Sequence, residues 1–286
     1  MISQRRLAQL GNRLAEADGR RVHERLLERD YCIAWCLVGL SRNRLRNLLA
    51  FKGGTALKRC YFLDYRFSED LDFSLVDPSI TFEEIRKGLE DSFADTQRLS
   101  GVSFGFAGQD LQVHQNSFTF YISFRGPIPR AGGPDEIKVD ITIRELVVFP
   151  LADGLVLPYP EYDDLPQARV KVYSLDEIAT EKIMALTDPV RNEPRDLHDL
   201  WFLVEGGHVD LGRLREALTQ KLTFKARGPL LGHELDAKAV RLRHSWEQRL
   251  AAQVLNLPEF ERAFRTVQRE LKRSALLPTT RTRRTR

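Results

Sequence analysis

The stretch RFSEDLDFSL, Arg66 to Leu75, decides how this chain is read. An extended backbone turns successive side chains to opposite faces, so Asp70, Asp72 and Ser74 share one side while Leu71, Phe73 and Leu75 share the other. The apolar side predicts a strand laid on a core. The acidic side asks for a cation, because two carboxylates roughly 7 Å apart at Cα repel each other unless one lies between them. Mg2+ takes carboxylate oxygens together with phosphate oxygens, which makes this D-x-D a candidate metal and nucleotide site. A D-x-D on its own is also common on solvated strands, so its surroundings carry the argument.

Upstream lies FKGGT, Phe51 to Thr55, in which Gly53 and Gly54 follow an apolar residue and precede a short helical stretch, Ala56 to Arg59. Paired glycines let backbone amides approach a triphosphate, and the helix start behind them adds a favourable dipole. Thr55 can cap the turn or bind. The plain alternative is an ordinary Gly-Gly turn, since the spacing matches neither a P-loop nor the dinucleotide fingerprint. Downstream, EIKVDITIRE puts Lys138, Asp140, Thr142 and Arg144 on one face of another strand, with Val139, Ile141 and Ile143 on the other. Glycine turn, D-x-D strand and a later single acid are the set that two-metal nucleotidyl transfer requires. Asp70 and Asp72 would clamp the triphosphate metal, and Asp140 would help hold the ion that activates the attacking hydroxyl.

Around this centre the periodicity changes twice. Leu7, Leu10, Leu14, Val22, Leu26, Leu27, Ile33, Leu37, Leu45 and Leu48 predict helices through the first fifty residues, interrupted near Gly11, Gly19 and Gly39. Alternating runs predict strands at 71–75, 102–106, 118–125, 136–143, 154–157 and 169–172, with a helix at 82–98 and a flexible connection, GPIPRAGGPDE, at 126–136. Beyond Tyr173 helices are expected at 175–186, 195–204, 211–218, 237–255 and 259–271. The first of these should open on a capping box of Ser174 and Glu177, and Pro194 suits a first helical turn. The expected organisation is therefore a core with N-terminal helices over 1–173, a helical domain over 174–275 and a basic tail over 276–286.

The charge is divided along the chain. Residues 1–50 carry ten Arg against five acids and 261–286 carry nine basic residues against two acids, leaving the middle with 25 basic and 33 acidic residues. An acidic centre able to hold metal, flanked by basic ends for a polyanion such as RNA, fits that division, although solvated helix faces would give it too. Three cysteines, Cys32, Cys36 and Cys60, match no zinc spacing and read as small buried residues of a reducing compartment. The longest apolar run, Tyr31 to Leu40, is about half of a bilayer span, so a cytoplasmic protein without membrane contact is expected.

KGGTAL (Lys52–Leu57), RFSEDLDFSL, EIATEKIMAL (Glu177–Leu186) and RDLHDLWFL (Arg195–Leu203) together resemble the AbiEii/AbiGii toxins, also called MenT-type, of the DNA polymerase β nucleotidyltransferase superfamily. The resemblance implies an α+β fold with a polymerase β-like core and an all-α C-terminal part. It also implies the toxin of a bacterial toxin–antitoxin or abortive-infection pair, transferring a nucleotide from an NTP to the 3′ acceptor end of tRNA and so blocking translation. Mg2+, or Mn2+ in its place, would be the cofactor, and a cognate antitoxin, an NTP and tRNA the partners. By position, Ser68, Asp70, Lys182 and one or both of Asp196 and Asp199 correspond to the family's functional set, and Lys52, Gly53, Gly54, Thr55, Ser68 and Lys182 would hold the nucleotide. Lys182 has Ile178 one turn before it and Leu186 one turn after, so no acid on its own helix is placed to pair with it. Asp196 and Asp199 project from nearly one face, to orient Lys182, bind the incoming hydroxyl or act as base; an Arg195–Asp199 helix pair is the structural alternative. His198 is read as packing or solvent contact. Transfer to a protein or small molecule, or a nucleotide- or RNA-binding regulator without turnover, are the competing functions.

Overall fold

A computed structural model of the chain describes residues 1–19, 21–108, 112–129, 132–230 and 232–277. The alternation at Leu71–Leu75 forms a strand, β2, in a mixed sheet to which eight strands contribute among the described residues. The others are β1 (Leu49–Lys52), β3 (Ser103–Phe106), β4 (Gln112–His114), β5 (Ser117–Arg125), β6 (Asp135–Thr142), β7 (Ala152–Leu155) and β8 (Arg169–Val172). Their order is β3-β5-β6-β2-β1-β8-β7, with β4 also on β5. β2 is antiparallel to β1 and parallel to β6, so the two acid-bearing strands are neighbours although the chain between them forms a helix and three strands. The α+β class and the strand-to-helix order follow the sequence reading. β1 and β4 were not anticipated, and the strand expected at 154–157 lies two residues earlier.

The first unit comprises 1–145 and 151–173. Its helices are α1 (Gln4–Asp18), α2 (Glu24–Ser41), the single turns α3 (Leu45–Leu48) and α4 (Gly53–Ala56), and α5 (Phe82–Ser100); a wide helical turn, Leu57–Tyr61, continues α4. Gly11 and Gly39 do not interrupt their helices. At Gly39 α2 passes so near α5 that an added Cβ would lie 2.5 Å from Thr96 Oγ1, which explains a small residue there without any break. The apolar sheet face, with Phe51, Leu71, Phe73, Phe118, Phe120, Val139 and Ile141 buried, is where rings stack: Phe82 lies 5.4 Å from Phe118 and Phe93 5.7 Å from Phe104. Each fully buried Phe or Leu contributes on the order of 2–3 kcal/mol here.

The basic N-terminal surface is partly neutralised. Arg6 pairs with Asp163, Arg13 grips Glu161 through two bonds of 2.7 and 2.8 Å, and Arg29 pairs with Glu69; Arg20 lies outside the described residues. The connection at 126–136 is tied at its start, where Ile128 N–H donates to buried Glu28 at 2.9 Å. All three cysteines are free thiols, and burial pushes Cys36 and Cys60 up to about 12.

The second unit comprises 146–150 with 174–286, and its described part is helical: α6 (Leu175–Leu186), α7 (Pro194–Glu205), α8 (Arg215–Phe224, after a tight turn at Leu211–Leu214), α9 (Gly232–Leu250) and α10 (Phe260–Arg273). Ser174 caps α6 by accepting from Glu177 N–H at 3.2 Å, but the box does not close. The Glu177 carboxylate accepts instead from Val148 and Phe149 N–H, at 3.0 and 2.9 Å, and pairs with the buried Lys221 at 2.7 Å. The expected tail loses its first two residues, since Leu276 and Leu277 are buried; Pro278–Arg286 lies outside the described residues. Among the described residues no helix is long and apolar enough to cross a membrane.

Candidate active site

Strand register puts the polar side chains in line. Lys52 on β1 stands opposite Asp72 on β2, Asp72 opposite Asp140 on β6, and Asp140 opposite Thr119 on β5. Neighbouring strands lie about 4.8 Å apart, so this row crosses four strands on the face away from the apolar core. Ser74 and Thr142 form a parallel row one step along. Tyr173 donates its hydroxyl to Ser74 Oγ at 2.7 Å, and Lys52 Nζ donates to Thr142 Oγ1 at 3.0 Å.

Asp140 is held at both oxygens. Thr119 donates its hydroxyl to Oδ1, and the Lys138 ammonium, two residues back on the same strand, donates to Oδ2 at 2.5 Å. Partial burial disfavours the Lys138 charge, but the hydrogen bond to Asp140 and the field of Asp140, Asp70 and Asp72 prevail and raise its pKa above the ordinary lysine value. The three acids thus share one neighbourhood with a lysine among them. Among the described residues no group of three or more His, Cys, Asp or Glu side chains is gathered as a ligand set. Asp70 and Asp72 fit a hard divalent ion as oxygen donors on one face, half exposed, with further oxygens to come from phosphate. Asp140, expected as a third ligand, fits only after exchanging Lys138. The alternation in EIKVDITIRE already placed Lys138 on this face; its partnership needed the structure.

The glycine turn is packed against the acids. Gly53 has φ +77°, a conformation side-chain-bearing residues rarely adopt, and an added Cβ would lie 2.5 Å from Asp72 Oδ2. At Gly54 the added atom would meet the Arg66 guanidinium at 2.4 Å. Thr55, 1 % exposed, donates to the Asp70 carbonyl at 2.5 Å and lies 2.8 Å from Ser68 Oγ. Its one proton being used, Thr55 can only accept from Ser68. Thr55 therefore positions the Asp70 backbone from beneath rather than facing a nucleotide, and Ser68, itself buried, gives its proton to Thr55 in this state. Arg66, 5 % exposed and bonded to the Phe67 carbonyl at 3.3 Å, is a buried cation of this turn that the sequence pattern gave no reason to single out.

In the second unit, Lys182 on α6 lies 2.7 Å from both Asp196 Oδ1 and Asp199 Oδ2 on α7, and Arg191 Nε lies 2.6 Å from Asp196 Oδ2. Burial pushes the Asp196 carboxyl up, but Lys182 and Arg191 prevail and hold it below the usual aspartate value. Both aspartates pair with Lys182. Arg195 pairs with Glu193 at 3.1 Å. His198 is buried, its ring 5.7 Å from Trp201 and 6.2 Å from Trp246. Lys238 is also buried and donates to the Leu186 and Arg191 carbonyls at 2.8 and 2.5 Å, closing the end of α6.

The family model described as nucleotidyl transferase AbiEii toxin, type IV TA system, matches residues 35–270. Two crystal structures are similar in fold: a nucleotidyltransferase candidate from H. pylori, with TM-score 0.54 and 15% identity over 88% of this chain and 96% of that one, and JHP933 from Helicobacter pylori, with TM-score 0.55 and 15% identity over 88% of this chain and 93% of that one. None of the curated proteins matches the sequence.

Proposed function

This chain belongs to the family of AbiEii nucleotidyl transferase toxins of type IV toxin–antitoxin systems, and from that premise we propose that it transfers a nucleoside monophosphate from an NTP to the 3′ acceptor end of tRNA in a Mg2+-dependent reaction. Membership makes it a nucleotidyltransferase toxin with an NTP substrate and an antitoxin partner; the acceptor and the ion are our reading. The observation that carries it is the row Lys52–Asp72–Asp140 with Gly53 pressed on Asp72.

Asp70 and Asp72 would hold Mg2+, with Mn2+ as a substitute; bound there, the ion would neutralise and orient the triphosphate oxygens. Lys52 and the backbone amides of Gly53 and Gly54 serve the phosphates, and Ser68 assists by exchanging Thr55 for a phosphate oxygen; in the second unit Lys182, paired with Asp196 and Asp199, keeps the phosphate-cation role that its family position implies. The RNA 3′ oxygen attacks the α-phosphorus in line, the new P–O bond forms as the bridging α–β bond breaks, pyrophosphate leaves and the hydroxyl proton is released. An RNA acceptor is supported by the division of charge between an acidic centre and basic chain ends, and its phosphates would supply salt-dependent affinity.

Incubation of the protein with each labelled NTP, Mg2+ and either total RNA or total protein tests the reading. Label on the 3′ ends of tRNA is the expected result. Label on protein alone would replace the acceptor, and no label on either with any nucleotide would overturn the proposal.

A further inference from the structure

Both oxygens of Asp140 are engaged from within its own sheet, Oδ1 by the Thr119 hydroxyl and Oδ2 by Lys138 Nζ at 2.5 Å. The ammonium needs no loop movement to be there. It rises from the same strand, two residues along, with its side chain 39 % exposed beside a carboxylate 33 % exposed. An ammonium carries three donors, and among the described residues Asp140 is the only hydrogen-bond acceptor of Lys138, which leaves two N–H groups for oxygens that are not the protein's. A divalent ion on Asp140 would have to sit within about 2.1 Å of an oxygen whose near side is already occupied by a positive charge, and two cations at such separation repel strongly.

We propose that the Lys138 ammonium takes, at Asp140, the place of a second divalent cation, so that this transferase works with one divalent ion, on Asp70 and Asp72, and a lysine where two-metal enzymes carry their second ion. The inference rests on the reading that Asp70 and Asp72 hold a divalent ion. Lys138 is then a fixed unit charge on the acceptor side of the row. Its two remaining donors face the oxygens of the substrate, and Asp140 serves to hold it.

Counting ions decides the matter. Equilibrium dialysis of the full chain against Mn2+ and an NTP analogue with a methylene bridge between the α- and β-phosphates, corrected for analogue alone, should give one bound Mn2+ per chain. Lys138→Gln, which frees Asp140, should give two, and Lys138→Gln combined with Asp140→Asn should return to one. Two ions on the unaltered chain, falling to one in Asp140→Asn, would overturn the inference without touching the reading beneath it, and this count needs no Lys138 variant to fold. One ion on both the unaltered chain and Lys138→Gln would overturn it as well, by showing Asp140 is no latent ligand. No ion on the unaltered chain, with Asp70→Asn unchanged from it, would remove the metal reading itself and the inference with it.

Discussion

Replacing Gly53 by alanine separates two effects that the structure superimposes. The first is conformational: at φ +77° an L-residue loses about 1–2 kcal/mol relative to glycine. The second is a collision, because the new methyl would lie 2.5 Å from Asp72 Oδ2, 3.2 Å from its Cγ and 3.3 Å from its Cβ. Asp72 must leave its rotamer, which costs roughly 0.5–1.5 kcal/mol more, or β1 and β2 must spread at the Lys52–Asp72 pair. Gly19, which caps the end of α1 at φ +69° with no atom within 4 Å of its added Cβ, supplies the reference. Gly19→Ala should show the conformational term alone, about 1–2 kcal/mol, and Gly53→Ala about 2–3 kcal/mol in all. Urea unfolding read at Trp35, buried in the same unit, measures both. Nucleotidyl transfer should fall about 100-fold in Gly53→Ala, as for a reacting group moved by about 1 Å, and stay near normal in Gly19→Ala. Equal stability losses, with transfer by Gly53→Ala within twofold of the parent, would refute the claim that this turn sets the position of Asp72.

Asp70→Ala and Asp72→Ala should each lower transfer with Mg2+ by more than about 100-fold while leaving the unfolding temperature within a few degrees; near-normal turnover in either would exclude that carboxylate from the site. Lys182→Ala leaves Asp196 and Asp199, whose side chains are 3 % and 0 % exposed, without their shared ammonium. It should cost about 3–5 kcal/mol in thermal unfolding, besides raising the NTP requirement, whereas Lys171→Ala should be nearly silent. Lys238→Ala is no neutral control, since that ammonium closes α6. A pH series tests Asp196: its carboxyl is held below the ordinary value near 4, so its stabilisation is complete above about pH 4 and is lost as pH falls through the lower folded value. The stability gap between parent and Asp196→Asn should therefore narrow on acidification below about pH 4, and a gap that widens would show the charge is not what Lys182 and Arg191 stabilise.

What the sequence made legible was whatever a local period records. Leu71–Leu75 and Leu175–Leu186 were bounded correctly because one alternates by two between turn residues and the other repeats on a helical face behind a Ser cap. β1 was hidden because LAFK is only four residues and runs directly on from a helical turn, with no Gly or Pro between them; β4 is three exposed residues with no buried face to pattern. In the site, same-strand relations such as Asp70 with Asp72 were readable. That Asp140 joins this pair was expected from its polar strand face, but the register was not, because register is a long-range property: nothing in the spacing said that Asp140 would stand directly opposite Asp72 or that Lys138 would close on Asp140. Lys58 makes the point from the other side. A lysine beside an arginine reads as surface, yet its ammonium is buried on the Leu63 and Tyr65 carbonyls and the Tyr159 hydroxyl, and burial lowers its pKa to about 7.

The parallel pairing of β2 with β6 also sets a timetable for synthesis. Asp72 and Asp140 become neighbours only after the 68 residues from 73 to 140 have been translated and the segment between them has folded as a helix and antiparallel strands. At about 5–20 residues per second that interval is roughly 3–14 s, to which the folding time of a non-local sheet is added. A ribosome making this toxin therefore carries a nascent chain without an assembled acidic row through the first half of its synthesis. A partner recognising β2 before β6 arrives would meet that incomplete row.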